Sequence, residues 1–340
     1  MSLHRLVAAA LLPLALLASA CGGGGDGAED FGDDSLVIYS GRNENLVGPL
    51  LDKLKTATGL DVQVRYGDSA ELAAQILEEG ADTRADLFFS QDAGALGALS
   101  AKQMLAPVPQ DLLGRVPAEY RGVDGTWVGV SGRSRVVVYD PRTVTAPPKS
   151  VFELTDPKWR GKVGWAPTNA SFQSFVTAMR VVSGEDKARQ WLEAMKANGT
   201  QTYPNNVEIL NAVDAGKLQL GLINHYYWYE KVAEKGAGGV PSKLAYLPGG
   251  DPGALVNVAG VATLKNSKHA EAARKATDYL LGPDAQKYFA ETTKEYPLIA
   301  GVATAPGLPP LDSLKGPEVD LSKLDSLEQT ITLLQDVGLV

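Results

Sequence analysis

Cysteine is nearly absent: the chain of 340 residues has one, Cys21. An internal disulfide framework and a thiolate metal cluster are therefore excluded. Histidine is almost as scarce. His4 lies close to the N-terminus, and the remaining two, His225 and His269, are too few for an ordinary zinc cluster. Positive charge is in deficit, with 32 Lys and Arg against 40 Asp and Glu for a net charge of −8. A nucleic-acid partner, which normally shows as a basic patch or a high isoelectric point, is not expected. A phosphate-binding glycine loop, a GxSxG elbow and an HExxH pair are all missing. No residue stands out as a base or nucleophile, so an enzyme is not expected.

What is present begins with a leader. "MSLHRLVAAALLPLALLASAC" has Arg5, an apolar stretch from Leu6 to Leu17, and small residues ending at Cys21. That is the order of a secretory signal, too short for a membrane span, which needs about 20 apolar residues. It resembles a bacterial lipoprotein signal, which implies that residues 1–21 are the signal peptide and that Cys21 is the lipidation site. "GGGGDGAEDFGDD" has the glycine and acidic content of a tether, so residues 22–34 are expected to be a flexible linker. The rest is longer than most single domains and suggests two.

The first half of that remainder alternates strand and helix patterns. "SLVIYS", "DVQVRYG" and "ADLFFS" predict three parallel strands, and "NENLVGPLLDKLKTATG" and "SAELAAQILEEG" predict the intervening helices, stopped at Gly59 and Gly80. In such sheets ligands bind beyond the carboxyl ends of the strands, where Arg42, Asn43, Asp68, Gln91 and Asp92 stand. "WVGVSGRSRVVVYDP" predicts a strand, a break at Gly132 and a Val-rich strand, and "GALVNVAGVATLK" a second apolar crossing between lobes. A helix is expected to start at Thr168 or Asn169, where free N–H groups favour an anion. Another follows Asn205 and Asn206, "LQLGLIN" is a strand, and "DSLEQTITLLQDVGLV" a closing helix. Trp127, Trp159, Trp165, Trp191 and His269 are expected to be structural.

Two places carry chemistry. "SGRSR" supplies Arg133 and Arg135, guanidinium groups that clamp a carboxylate, phosphate or carbonate or form an interlobe salt bridge. "GLINHYYWY" sets Tyr226 beside Tyr227, with Tyr229 two positions on. Aromatic packing alone accounts for such a cluster. Phenolate oxygen is also a hard anionic donor suited to ferric iron, and the cation supplies the force that ionises a phenol of pKa near 10.

From "LVIYSGRNENLV" through "SGRSRVVVYD", "INHYYWY", "DPGALVNVAGVA" and "KEYPL", the chain resembles the periplasmic ferric-iron-binding proteins of ATP-binding-cassette importers. The resemblance implies an α/β class and a two-lobed periplasmic-binding-protein fold of type II. Each lobe would be a mainly parallel sheet flanked by helices, and two strands would form the hinge. Lobe 1 is expected over 35–131 with 258–306, and lobe 2 over 132–257 with 307–340. By match of motif, Tyr226 and Tyr227 are the metal ligands. Asn224, Asn206, Asn169, Ala170 and Ser171 match positions that hold a synergistic anion, and Arg133 matches an arginine at the site. Where some members have a histidine ligand this chain has Asn43, with Glu44 beside it, and where they have a glutamate ligand it has Gln91. Phe172 is the nearest aromatic where others supply another tyrosine. Asn43, Glu44 and Gln91 thus stand as further ligand candidates. An exogenous carbonate, phosphate or citrate anchored by Arg42 and Arg133 would complete the shell.

The implied function is that of an extracytoplasmic lipoprotein, monomeric and lipid-anchored at the outer face of the cell membrane or periplasmic. It would close on Fe(III), or a ferric chelate, and deliver it to a permease and its ATPase. The alternative keeps the fold and binds an organic solute, thiamine, a sugar phosphate or a polyamine, with the aromatics as a stacking surface.

Overall fold

The computed structural model describes residue 32 and residues 34–340. The expected signal peptide, Cys21 as the expected lipidation site and most of the expected linker lie outside the described residues. Among the described residues no helix is long and apolar enough to cross a membrane.

Ten strands build the frame: β1 Leu36–Ser40, β2 Val62–Tyr66, β3 Leu87–Ser90, β4 Val128–Tyr139, β5 Val163–Trp165, β6 Gln201–Thr202, β7 Leu220–Asn224, β8 Lys243–Ala245, β9 Val256–Thr263 and β10 Tyr296–Pro297. Their order is β2-β1-β3-β9-β4-β7-β5-β6, with β8 and β10 also on β4. β1 pairs in parallel with β2 and β3, and β5 in parallel with β6 and β7. Helices flank this mixed sheet, the class expected from the alternating patterns. "LVIYS" is buried along its whole length, as a parallel strand covered on both faces must be.

β4 joins the two halves. Val128–Ser134 pairs antiparallel with β9, and Arg135–Tyr139 with β7. "SGRSR" therefore lies at the changeover from one half-sheet to the other. Gly132 does not break this strand. It is paired with Val258 of β9 and with Tyr296 of β10, and the only register shift falls between Gly129 and Ser131. Its missing side chain serves a close approach, since a Cβ there would meet Leu298 at 3.2 Å and Tyr296 at 3.3 Å.

One core collects β1, β2, β3, β9 and their helices around Ile38, Phe88, Leu96 and Trp127. Two further clusters line the other half, one around Trp165, Phe172, Phe175 and Trp191, the other around Val136, Ile209 and Ile223. The four tryptophans named above are buried, and His269 accepts a part-buried structural role, its Nδ1 at 3.0 Å from Asp86. The C-terminal stretch divides between the cores. Leu321 and Leu324 pack in the first, whereas Leu333, Leu334 and Val337 of the helix Leu327–Val337 pack in the second.

Candidate functional site

β7 ends at Asn224, and the helix Tyr226–Lys235 starts at once, so the tyrosine pair stands where the second half-sheet meets the strand β4. Arg135 is directly opposite Asn224 in the β4 to β7 register. Tyr226 is fully buried and Tyr227 partly so, with ring centroids 4.2 Å apart at 34°. Burial pushes the Tyr226 hydroxyl well above the ordinary phenol range, with the neighbouring Tyr227 adding to it and Arg133 and Arg42 opposing. Tyr227 is also raised by burial, while its hydrogen bond with Tyr226 works the other way. Both phenols are protonated at neutral pH unless a cation displaces the protons.

Three buried guanidinium groups surround the pair, and they differ in their partners. Arg42 forks onto Glu295 at 2.9 and 2.7 Å, both side chains buried, which leaves only its Nε unpartnered. Burial opposes the charge on Arg42, but the Glu295 carboxylate outweighs it and holds the group above its usual value. Arg135 donates to the Leu222 carbonyl at 3.2 Å and to Ser171 Oγ at 3.4 Å and lies 5.5 Å from the ring centroids of Phe172 and Phe175. Burial pushes it down to about 9. Arg133 is buried with none of its three nitrogens bonded to any group of the protein. Burial lowers it too, with Tyr226 the largest opposing influence.

The asparagines form a chain beside these cations. Asn169 caps the helix Ala170–Ser183, and its Oδ1 accepts from Ser171 N at 3.2 Å, Ser171 Oγ at 2.6 Å and Asn206 Nδ2 at 3.2 Å. Asn206 Oδ1 in turn accepts from Asn224 N at 3.2 Å, and Asn224 Nδ2 is buried without a partner. Unsatisfied nitrogens thus concentrate here: three on Arg133, one each on Arg42, Arg135, Asn224 and Asn257. Buried donors are normally paired, so this surplus fits an anion. Among the described residues no group of three or more His, Cys, Asp or Glu is placed to hold a metal ion.

Comparison with known proteins decides the family. Residues 82–320 match the model of the bacterial extracellular solute-binding proteins. The chain belongs to that family. It is 34% identical over 339 residues to the Fe(3+)-binding periplasmic protein of Serratia marcescens, covering 99% of this chain and 100% of the relative. The crystal structure of iron-bound HitA from Pseudomonas aeruginosa superposes with a TM-score of 0.84 at 35% identity, covering 89% of this chain and 99% of that one. A Trichodesmium protein in complex with iron and citrate ligands gives 0.76 at 29% identity, covering 90% and 100%.

In this solute-binding protein Tyr226, Tyr227, Arg133, Asn169, Ala170, Ser171, Asn206 and Asn224 fall in one neighbourhood around the changeover of β4. The remaining candidates do not join them. Asn43 is exposed and spends its Oδ1 on capping the helix Glu44–Thr58, at 2.9 Å from Asn45 N. Glu44 is exposed and faces Tyr66 and Gly48 on the flank of that helix, because one residue further round the helix turns the side chain away from the strand end. Gln91 is part-buried after β3, with its backbone N–H bonded to Ser69 Oγ. Arg42 is near, but its fork belongs to Glu295.

Four groups escaped the sequence: Glu295, Glu230, His225 and Asn257. Glu230 stands one helical turn after Tyr226, one carboxylate oxygen buried and unpartnered, and burial pushes it up to about 8. The i, i+4 spacing from Tyr226 was available as a signal for Glu230. Glu295 lies in the "KEYPL" segment that carries the resemblance, but its pairing with Arg42, 253 residues away, had no local signal.

Proposed function

We propose that this protein is the extracytoplasmic binding component of an ATP-binding-cassette importer and takes up Fe(III) on Tyr226 and Tyr227 together with an anion held at Arg133. The observation that carries this is the fully buried Arg133, with no hydrogen-bond partner in the protein, beside the buried Tyr226 and the partly buried Tyr227. The charges sum sensibly. Two phenolates leave one positive charge on a ferric ion, and a dianion such as carbonate reverses it, which the Arg133 cation then neutralises. Arg42 and Glu295 cancel each other and take no part in that sum. That these relatives are an Fe(3+)-binding protein, an iron-bound one and one in complex with iron and citrate supports ferric iron over an organic solute.

Binding replaces two phenol protons by one metal ion. Iron therefore competes with protons, and acid favours release. The Asn169, Asn206 and Asn224 chain, with the start of the helix Ala170–Ser183, supplies neutral donors for the rest of the anion. The lobes close as a hinge about β4 and β9, driven by the higher affinity of the closed form. The permease and its ATPase receive the iron, and Cys21 provides the lipid anchor.

A visible absorption titration of the iron-stripped protein with ferric citrate, with and without bicarbonate, tests this. A phenolate-to-iron band should saturate at one iron per protein, require the anion, and vanish in the Tyr226→Phe, Tyr227→Phe double variant. Absence of any band, with tight calorimetric binding of thiamine, a sugar phosphate or a polyamine, would overturn the proposal.

A further inference from the structure

His225 immediately precedes the tyrosine pair, at the position where a side chain ordinarily caps the helix. It makes no cap bond. Its fully buried ring joins two other parts of the chain instead. Ser134 N–H donates to Nδ1 at 3.1 Å. That bond leaves Nδ1 without a proton, so Nε2 carries it and donates to the Lys294 carbonyl at 2.9 Å. Ser134 is the residue at which β4 passes from one half-sheet to the other, and Lys294 belongs to the segment that follows the helix Pro283–Glu291 of the first lobe. The same ring stacks on Tyr296 at 4.8 Å and 32° and meets Tyr226 edge-on at 5.9 Å.

The backbone at Lys294 is unusual in a way that serves this contact. Its φ of 56° lies in the left-handed region, which a residue with a side chain occupies at a cost and which clusters at functional sites. The turn made there directs two successive groups to different parts of the chain, the Lys294 carbonyl to His225 and the Glu295 carboxylate to Arg42, 2.7 Å away at its shorter contact.

We propose that His225 is a positioning residue: through its two hydrogen bonds and its stack on Tyr296 it fixes the tyrosine pair of the second lobe to the Lys294–Tyr296 segment of the first. The phenol oxygens thereby keep their place relative to Arg133, Arg42 and Glu295 while the lobes move. The inference rests on the proposed metal role of the tyrosines for its iron readout and on geometry alone for its second readout.

Two substitutions separate the bonds. In His225→Asn the amide can still accept from Ser134 but stops short of Lys294, whereas in His225→Gln it reaches Lys294. Removing a buried hydrogen bond and leaving a carbonyl unsatisfied corresponds to about tenfold or more in an equilibrium constant. Iron transfer to a competing chelator is therefore expected to be about tenfold faster or more from His225→Asn, and close to wild type from His225→Gln. In the iron-free protein, hydrogen exchange over residues 224–229 and 293–297 should rise by a similar factor in His225→Asn alone. The inference is overturned if His225→Asn behaves as wild type in both measurements. It is equally overturned if iron transfer and hydrogen exchange are accelerated alike in the two variants in step with their thermal unfolding, which would make His225 a packing residue. Should wild type show no phenolate band at all, the iron assignment fails, and the exchange comparison still decides the role of His225.

Discussion

Arg133 is hard to account for within the protein alone. It is buried, its three nitrogens lack partners, and the neighbours that favour its charge, Tyr226, Asp92 and Glu295, form no hydrogen bond with it. Leaving an ion in that condition costs several kcal/mol even after relaxation. Arg42 avoids the cost through Glu295, and Arg135 reduces it through Leu222, Ser171 and two aromatic faces. A site that must accept an anion needs a cation that nothing else has claimed, and that is the difference between Arg133 and its neighbours. Replacing it by a similar apolar volume should then stabilise the empty protein. Arg133→Met is expected to raise unfolding stability in the absence of iron and bicarbonate by on the order of 1–4 kcal/mol, and to abolish the anion dependence of iron binding. Urea unfolding measured with and without bicarbonate checks both. A variant less stable than wild type under those conditions would show that the guanidinium is satisfied by the protein.

At the scale of the elements, the cleft is built from helix starts and strand ends whose caps do two jobs. Asn169 caps the helix Ala170–Ser183 and, with the same oxygen, orients Asn206, which holds the backbone of Asn224. Asn205 caps the helix Asn206–Asp214 at 2.9 Å from Glu208 N, and its side chain is exposed. Asn169→Ala and Asn205→Ala should each cost about 1 kcal/mol of stability, the usual price of a lost cap. Only Asn169→Ala should also weaken anion binding, read as a higher bicarbonate concentration for half-maximal colour. Equal anion responses in the two variants would remove Asn169 from the site. These elements were legible in the sequence because their signals are local: period-2 and period-3.6 patterns, Asn and Asp caps, glycines at Gly59 and Gly80. The places of the tyrosine pair, Asn169 and Arg133 in the elements were legible as well, since each sits next to such a signal, while their proposed roles came from the family resemblance. Gly132 was not, because the reason for a glycine there is Tyr296, far along the chain, packing against β4. Nor was the engagement of Arg42 by Glu295, or the turning of Glu44 toward Tyr66, which depends on where a helix begins by a single residue.

On the scale of the whole molecule, the two cores are joined by more than the strands β4 and β9. After β10 the chain passes Ala305 and Leu308, which pack with Tyr296, and then lays Leu321 and Leu324 into the first core. Leu324 comes so near the helix Ala93–Ala101 that a Cβ on Gly94 would meet its carbonyl oxygen at 2.9 Å. The helix Leu327–Val337 then crosses to the second core, held by Thr330 against Thr177 at 2.7 Å and by Arg180, which donates to Thr330, to the Ser326 carbonyl and to Gln329. The C-terminal segment is thus a third link between the cores. It also makes the second lobe depend on the end of the chain. Truncation after Asp325 leaves the first core its own segment and strips the second of Leu333, Leu334 and Val337. At about 1.5–3 kcal/mol for each of the three buried aliphatic side chains, the second lobe should lose roughly 4.5–9 kcal/mol. For lobes of this size that lowers melting by at least about 10 °C. Calorimetry of the truncated, iron-free protein should then resolve two transitions, the lower from the second lobe and the upper close to that of the intact chain. A single transition moved down as a whole would mean that the hinge couples the lobes tightly enough to unfold as one unit, and closure on iron would then have to distort a cooperative body instead of rotating two independent ones.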